Sequence, residues 1–168
     1  MLKAYLKFMS TLEKIALFVV GILMIIMVTA MVYQVILRYI FSNSNIWSEE
    51  LTRFLFVWVS LIGSFIAVRR NSHLKVEVFI DLMKGNTKRY FSIIIDIAVL
   101  AFLIYLLPLS YDLTMSTFVN ISAGLKVPMA VGYGAIPVGT VLMILGMIEQ
   151  LLLKITNTEP VKEAEVKE

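Results

Sequence analysis

Residues 15–36 read IALFVVGILMIIMVTAMVYQVI, 22 positions without a formal charge. At a rise of about 1.5 Å per residue a helix of this length crosses a hydrocarbon core of about 30 Å, so the stretch predicts a transmembrane span. A cleaved signal peptide carries a shorter apolar region followed by small residues at its cleavage site, and neither is present; the span is expected to be retained. Upstream, Leu2, Tyr5, Leu6, Met9 and Leu12 recur at steps of three and four opposite Lys3, Lys7, Ser10 and Lys14. That pattern is an amphipathic helix, which either lies in the headgroup plane or extends the first span. Downstream, Gln34 and Arg38 share one helical face between Tyr33 and Tyr39, the composition of an aromatic belt with a snorkelling arginine.

The same reading over the 168 residues gives four spans, at about 15–38, 48–68, 91–111 and 127–153. Hydrophobic residues make up 60% of the chain, against about 45–50% in soluble domains, and the mean hydropathy is +0.88. The fold class expected is an all-α integral membrane protein with one domain over residues 1–156 and a disordered tail over 157–168. Cysteine is absent and there is one histidine, which excludes a disulfide framework, a thiolate site and an all-histidine metal site. Neither an enzyme nor a resident cofactor is expected.

The second span opens with Trp47-Ser48-Glu49-Glu50-Leu51-Thr52-Arg53. Charges near a membrane are functional candidates, because an arginine at the centre of an inserted helix costs roughly 2.5–3.5 kcal/mol. The local alternative makes Ser48 the N-cap and sets Glu49 and Glu50 in the first turn, where the helix dipole favours them. At 100° per residue, Glu49, Arg53, Ser60, Ser64 and Ala67 fall on one stripe with Glu50 and Gly63 at its edges, while Leu55, Trp58, Ile62, Phe65 and Ile66 lie opposite. Small and polar residues mark packing faces in lipid, so the stripe is expected to dock and the opposite face to meet lipid or an apolar partner.

Val76, Phe79, Ile80 and Met83 then share one side of an amphipathic segment that Gly85-Asn86 closes, predicting an interfacial helix at about 74–85. In the third span Asp96 is an isolated carboxylate, suited to pairing with Lys88, Arg89 or a neighbouring helix, or to a proton relay. In the fourth, Gly132, Ala135, Gly139 and Gly146 line up as a second small-residue face, and Pro137 is expected to bend the helix. Twelve of the fifteen Lys and Arg fall in the N-terminal segment, the 69–90 connection and the tail; Arg38, Arg53 and Lys126 fall on the other side. Both termini are therefore expected in the cytoplasm.

Gln34-Val35, Arg38-Tyr39 and Phe41, then Trp47 to Arg53 with Trp58 and Gly63, then Arg69 and His73-Leu74-Lys75-Val76-Glu77, resemble in order and spacing the DctQ-type small membrane subunit of tripartite ATP-independent periplasmic (TRAP) transporters. The resemblance covers nearly the whole chain and is most specific between Gln34 and Glu77. It implies a bacterial inner-membrane transporter working with a periplasmic substrate-binding protein and taking up organic acids of the C4-dicarboxylate or sialic acid type. In that family the large membrane subunit carries the substrate and sodium sites and moves them by an elevator motion, while the small subunit packs against its static scaffold. The chain is thus expected to be an accessory subunit with no catalytic, substrate-binding or metal residue, partnered by a separate large subunit. Gln34, Arg38, Trp47, Glu49, Glu50, Arg53, Gly63 and His73 are the candidates for structural and inter-subunit contacts. Two alternatives stand beside this reading: a self-sufficient proton-coupled exporter dependent on Asp96, and a membrane scaffold protein.

Overall fold

A computed structural model describes residues 2–41, 45–70 and 86–156. The expected interfacial helix, His73 and the tail from 157 lie outside the described residues. The chain forms α1 (Leu2–Ile40), α2 (Ile46–Arg69), α3 (Asn86–Ser116), the single turn α4 (Ala130–Tyr133) and α5 (Ala135–Thr156), with no strand among the described residues. Four stretches are long and apolar enough to cross a membrane: Tyr5–Ile40, Ile46–Arg69, Phe91–Ser116 and Ala130–Thr156. The protein is a multi-pass, all-helical membrane protein.

The spans stand in a row rather than a closed bundle. Helix α1 packs on α2, α2 on α5 and α5 on α3, so α1 and α3 form the two edges. Burial follows that order. In the most apolar window of each span, 17% of residues are buried in α1 and 11% in α3, against 22% in α2 and 39% in the stretch holding α4 and α5.

The amphipathic N-terminal segment is continuous with the first span, and α1 runs unbroken from Leu2. Its Met9 is fully buried in a cluster with Ala16 and with Ile62, Phe65 and Ile66 of α2. The Tyr5 hydroxyl donates to the Leu145 carbonyl of α5 at 3.0 Å.

The α2–α5 seam is built on glycine. A Cβ added at Gly132 would meet Phe54 at 2.6 Å, one at Gly139 would meet Leu61 at 2.6 Å, and one at Gly146 would meet Val68 at 3.3 Å. Water supplies no hydrophobic drive between helices in lipid, so this close approach, with its van der Waals contact, is what holds the two together. The small-residue face read from the fourth span is this seam.

Within the chain α2 is covered on its bulky side. Its buried residues include Ile62, Phe65 and Ile66, from the side expected to meet lipid or an apolar partner, whereas Arg53, Ser60 and Ala67 are exposed. The reason is the partner's shape. Glycines on α5 make a groove that admits large side chains, so α2 contributes bulk to the seam and its small residues point away. Ser64 does not bond across helices; its hydroxyl donates to the Ser60 carbonyl of its own helix at 2.8 Å.

The fourth span is also interrupted in the turn before Pro137. The interruption falls at Gly134, between α4 and α5, and Pro137 lies in the first turn of α5, where a missing N–H is tolerated. Proline there has nothing to donate to the Tyr133 carbonyl, and the Thr114 hydroxyl of α3 reaches that carbonyl at 3.3 Å.

Candidate functional site

Two polar clusters at opposite ends of α2 carry most of the charged contacts. At its start, Asn45 is the N-cap: its side chain accepts from the Trp47 N–H at 3.3 Å. Ser48, expected in that role, is fully buried one turn further on and donates to the Asn45 carbonyl at 3.2 Å. The helix begins three residues earlier than the serine suggests, so Glu49 remains in the first turn while Glu50 passes out of it.

Glu50 then takes another task. Its carboxylate accepts the backbone N–H groups of Ala123, Gly124 and Leu125 at 3.1, 2.8 and 2.9 Å, fixing the loop that joins α3 to α4. These donors need close backbone approach, which glycine permits. A Cβ on Gly124 would lie 2.8 Å from the Trp47 backbone. The loop is further closed by the Ile121–Pro128 bridge and by Lys126 in the left-handed region, φ 58°. The Ser122 hydroxyl beside it is buried.

The other candidates at this end divide by exposure. Glu49 and Arg53 pair at 3.0 Å with both side chains more than 60% exposed. Trp47 packs on Tyr33 of α1, ring centroids 5.8 Å apart, and Arg38 lies over the Tyr39 ring at 5.9 Å. Gln34 is half-buried on α1. Gly63 faces open space, with nothing within 4 Å of a Cβ placed there. The Trp58 indole N–H donates to the Val131 carbonyl at 3.0 Å and so joins α2 to α4.

At the far end of α2 the structure assembles charges that the sequence reading did not bring together. The Arg69 guanidinium grips Glu149 of α5 through Nε to Oε2 at 2.6 Å and Nη2 to Oε1 at 2.9 Å, and its Nη1 meets Glu13 of α1. Glu13 also accepts from Arg70 at 2.6 Å, and Gln150 donates to the Arg69 carbonyl at 2.6 Å. Two cations and two carboxylates balance in a site where the Arg69 side chain is 7% and Glu149 2% exposed. A buried charge left without its partner is costly, so the cluster locks three helices at one point. The signal in the sequence was Glu149-Gln150, a polar pair within the apolar run of the fourth span.

Asp96 behaves similarly. It is 6% exposed and pairs with Lys154 of α5 at 2.5 Å, while that lysine also donates to Ser92 at 2.7 Å. The neighbouring helix is thus its partner, and the carboxylate on which the exporter alternative rests is engaged in a contact between α3 and α5. Among the described residues no three of His, Cys, Asp and Glu converge as a metal site. What the two clusters do chemically is fix helices and one loop against each other.

Comparison with known proteins gives the same description. The family model described as "Tripartite ATP-independent periplasmic transporters, DctQ component" matches residues 27–157. The sialic acid TRAP transporter small permease protein SiaQ of Vibrio cholerae is 28% identical over 131 residues, 77% of this chain and 75% of that protein. The C4-dicarboxylate TRAP transporter small permease protein DctQ of the same organism is 34% identical over 74 residues, covering 44% of this chain and 32% of that one. The isethionate TRAP transporter permease protein DctMQ of Oleidesulfovibrio alaskensis is 28% identical over 141 residues, 79% of this chain but 22% of that longer protein.

Proposed function

Because the chain belongs to the family of the DctQ component of tripartite ATP-independent periplasmic transporters, a family of transport components rather than enzymes, we propose that it is the fixed small subunit of such a transporter. It binds no substrate itself and stands beside a larger permease chain. That chain holds the substrate and couples its uptake to sodium, and a periplasmic binding protein delivers the substrate, an organic acid of the sialic acid or C4-dicarboxylate type. The subunit lies in the bacterial inner membrane with both termini in the cytoplasm, the side on which its Lys and Arg concentrate.

The observation that carries this reading is the outward face of α2. The glycines of α4 and α5 are in contact inside the row, whereas Gly63 and the neighbouring Ser60 and Ala67 face away from it. A helix that keeps small residues on an unfilled side is shaped for the backbone of another helix. The match to a longer permease supports the same partner: in DctMQ the equivalent region is 22% of one polypeptide, so a unit like this one is there joined to further permease chain.

The test is reconstitution. The chain co-expressed with the larger permease is expected to co-purify with it, and liposomes holding both, supplied with the binding protein and a sodium gradient, are expected to accumulate the organic acid. Full uptake by liposomes holding this chain alone would overturn the proposal.

A further inference from the structure

Between α3 and α5, near the end of the row that carries Glu50, lies a groove of about 820 Å³. Its walls include Leu107, Pro108 and Met115 of α3 and Pro137, Val138 and Val141 of α5. Both helices are within their membrane-spanning stretches here, so the groove opens sideways into hydrocarbon. From Leu107 to Met115 it follows α3 for about 12 Å at 1.5 Å per residue.

Tyr111, Asp112 and Thr114 bring polar groups to its lining, and the last two differ. The Thr114 hydroxyl is already given to the Ser110 and Tyr133 carbonyls, leaving no donor for a ligand. Asp112 is exposed at the edge, four residues before the end of α3, and has no ion-pair partner among the described residues. The site therefore offers an apolar trough at acyl-chain depth with one carboxylate at headgroup depth.

We propose that this groove holds an acyl chain of a phosphatidylethanolamine whose ammonium group sits on Asp112. The choice of lipid follows from charge and donor chemistry. An anionic headgroup is repelled by the carboxylate, and a choline headgroup has no N–H, whereas a primary ammonium donates a charge-assisted hydrogen bond to it. The trough supplies the chain's contacts and the aspartate the selection. The proposal stands on the α3–α5 geometry and is independent of the transport role.

The full chain, stripped of lipid in detergent, is titrated with dioleoyl phosphatidylethanolamine, phosphatidylcholine or phosphatidylglycerol, and bound lipid is read by native mass spectrometry. Retention of the ethanolamine lipid is expected to exceed that of the glycerol lipid about fivefold, the size of one exposed charge contact. Asp112→Asn, a change at an exposed position, removes the preference, and Val138→Trp, which fills the trough, removes retention of all three. Equal retention of the three lipids by the unaltered chain would overturn the proposal, as would a preference unchanged by Asp112→Asn. Loss of the bound lipid on co-expression with the larger permease would assign the groove to that protein and overturn it too.

Discussion

Arg69, in the last turn of α2, is joined to Glu149 of α5 by two parallel hydrogen bonds of 2.6 and 2.9 Å, across 80 residues of sequence. Both side chains are almost fully enclosed, and Glu13 of α1 completes the guanidinium's contacts. One residue thereby ties three of the four spans.

Glu149→Ala is expected to destabilise the protein by about 3 kcal/mol, because it removes the two-bond partner of a buried guanidinium and leaves it only Glu13, which Arg70 shares. Arg53→Ala is expected to cost about 0–1 kcal/mol, since its pair with Glu49 is open to solvent. Thermal unfolding of the purified chain in detergent compares the two. Equal losses would disprove the ranking.

Glu50→Ala removes the acceptor of three backbone donors, each charge-assisted bond worth about 1.5–3 kcal/mol. The amides of residues 123–125 are expected to exchange with deuterium at least about tenfold faster, since about 1.4 kcal/mol is a factor of ten. Glu49→Ala, one residue away, leaves their exchange unchanged. Hydrogen exchange read by mass spectrometry over the α3–α4 loop decides this.

Gly139→Ala drives a methyl group to 2.6 Å from the Leu61 side chain and is expected to cost about 1–3 kcal/mol by overpacking. At Gly63, where a Cβ meets nothing, alanine is expected to be neutral or to stabilise by up to about 1 kcal/mol through helix propensity. Gly63→Leu should likewise leave the isolated chain folded while lowering its yield on co-purification with the larger permease. Normal complex formation by Gly63→Leu would remove that face from the interface.

Asp96→Asn weakens the tie to Lys154 and is expected to lower stability by about 1–3 kcal/mol. On the proposed function, organic-acid uptake by the reconstituted transporter should persist, because the carboxylate serves a contact between helices. Abolished uptake in a protein of unchanged stability would contradict this.

The spans were legible because hydrocarbon imposes one strong rule, an apolar length that crosses it. Gly132, Gly139 and Gly146 were legible as a packing face for a related reason: close approach requires small residues at helical spacing. Which face of α2 is covered within the chain was not legible, because periodicity shows that two faces differ, not which neighbour each one meets. Ile62 and Phe65 are buried in a cluster with Met9 and Ala16 of α1, information held elsewhere in the chain. Ser48 resembled a cap by type, yet Asn45 reached the first free N–H groups from three residues earlier. The Glu13–Arg69–Glu149 cluster was least visible, since charges at 13, 69 and 149 converge only when the order of helices in the row is known.

That row has a mechanical corollary. Each seam in a single-file wall of helices is a hinge line along which the wall can fold. Here every seam is pinned near both margins: α1 to α2 by Glu13 and by Trp47 on Tyr33, α2 to the fourth span by Glu149 and by Trp58 on Val131, and α3 to that span by Asp96 and by Thr114 on Tyr133. Pins at both margins turn hinged staves into a plate, which resists bending when something beside it slides.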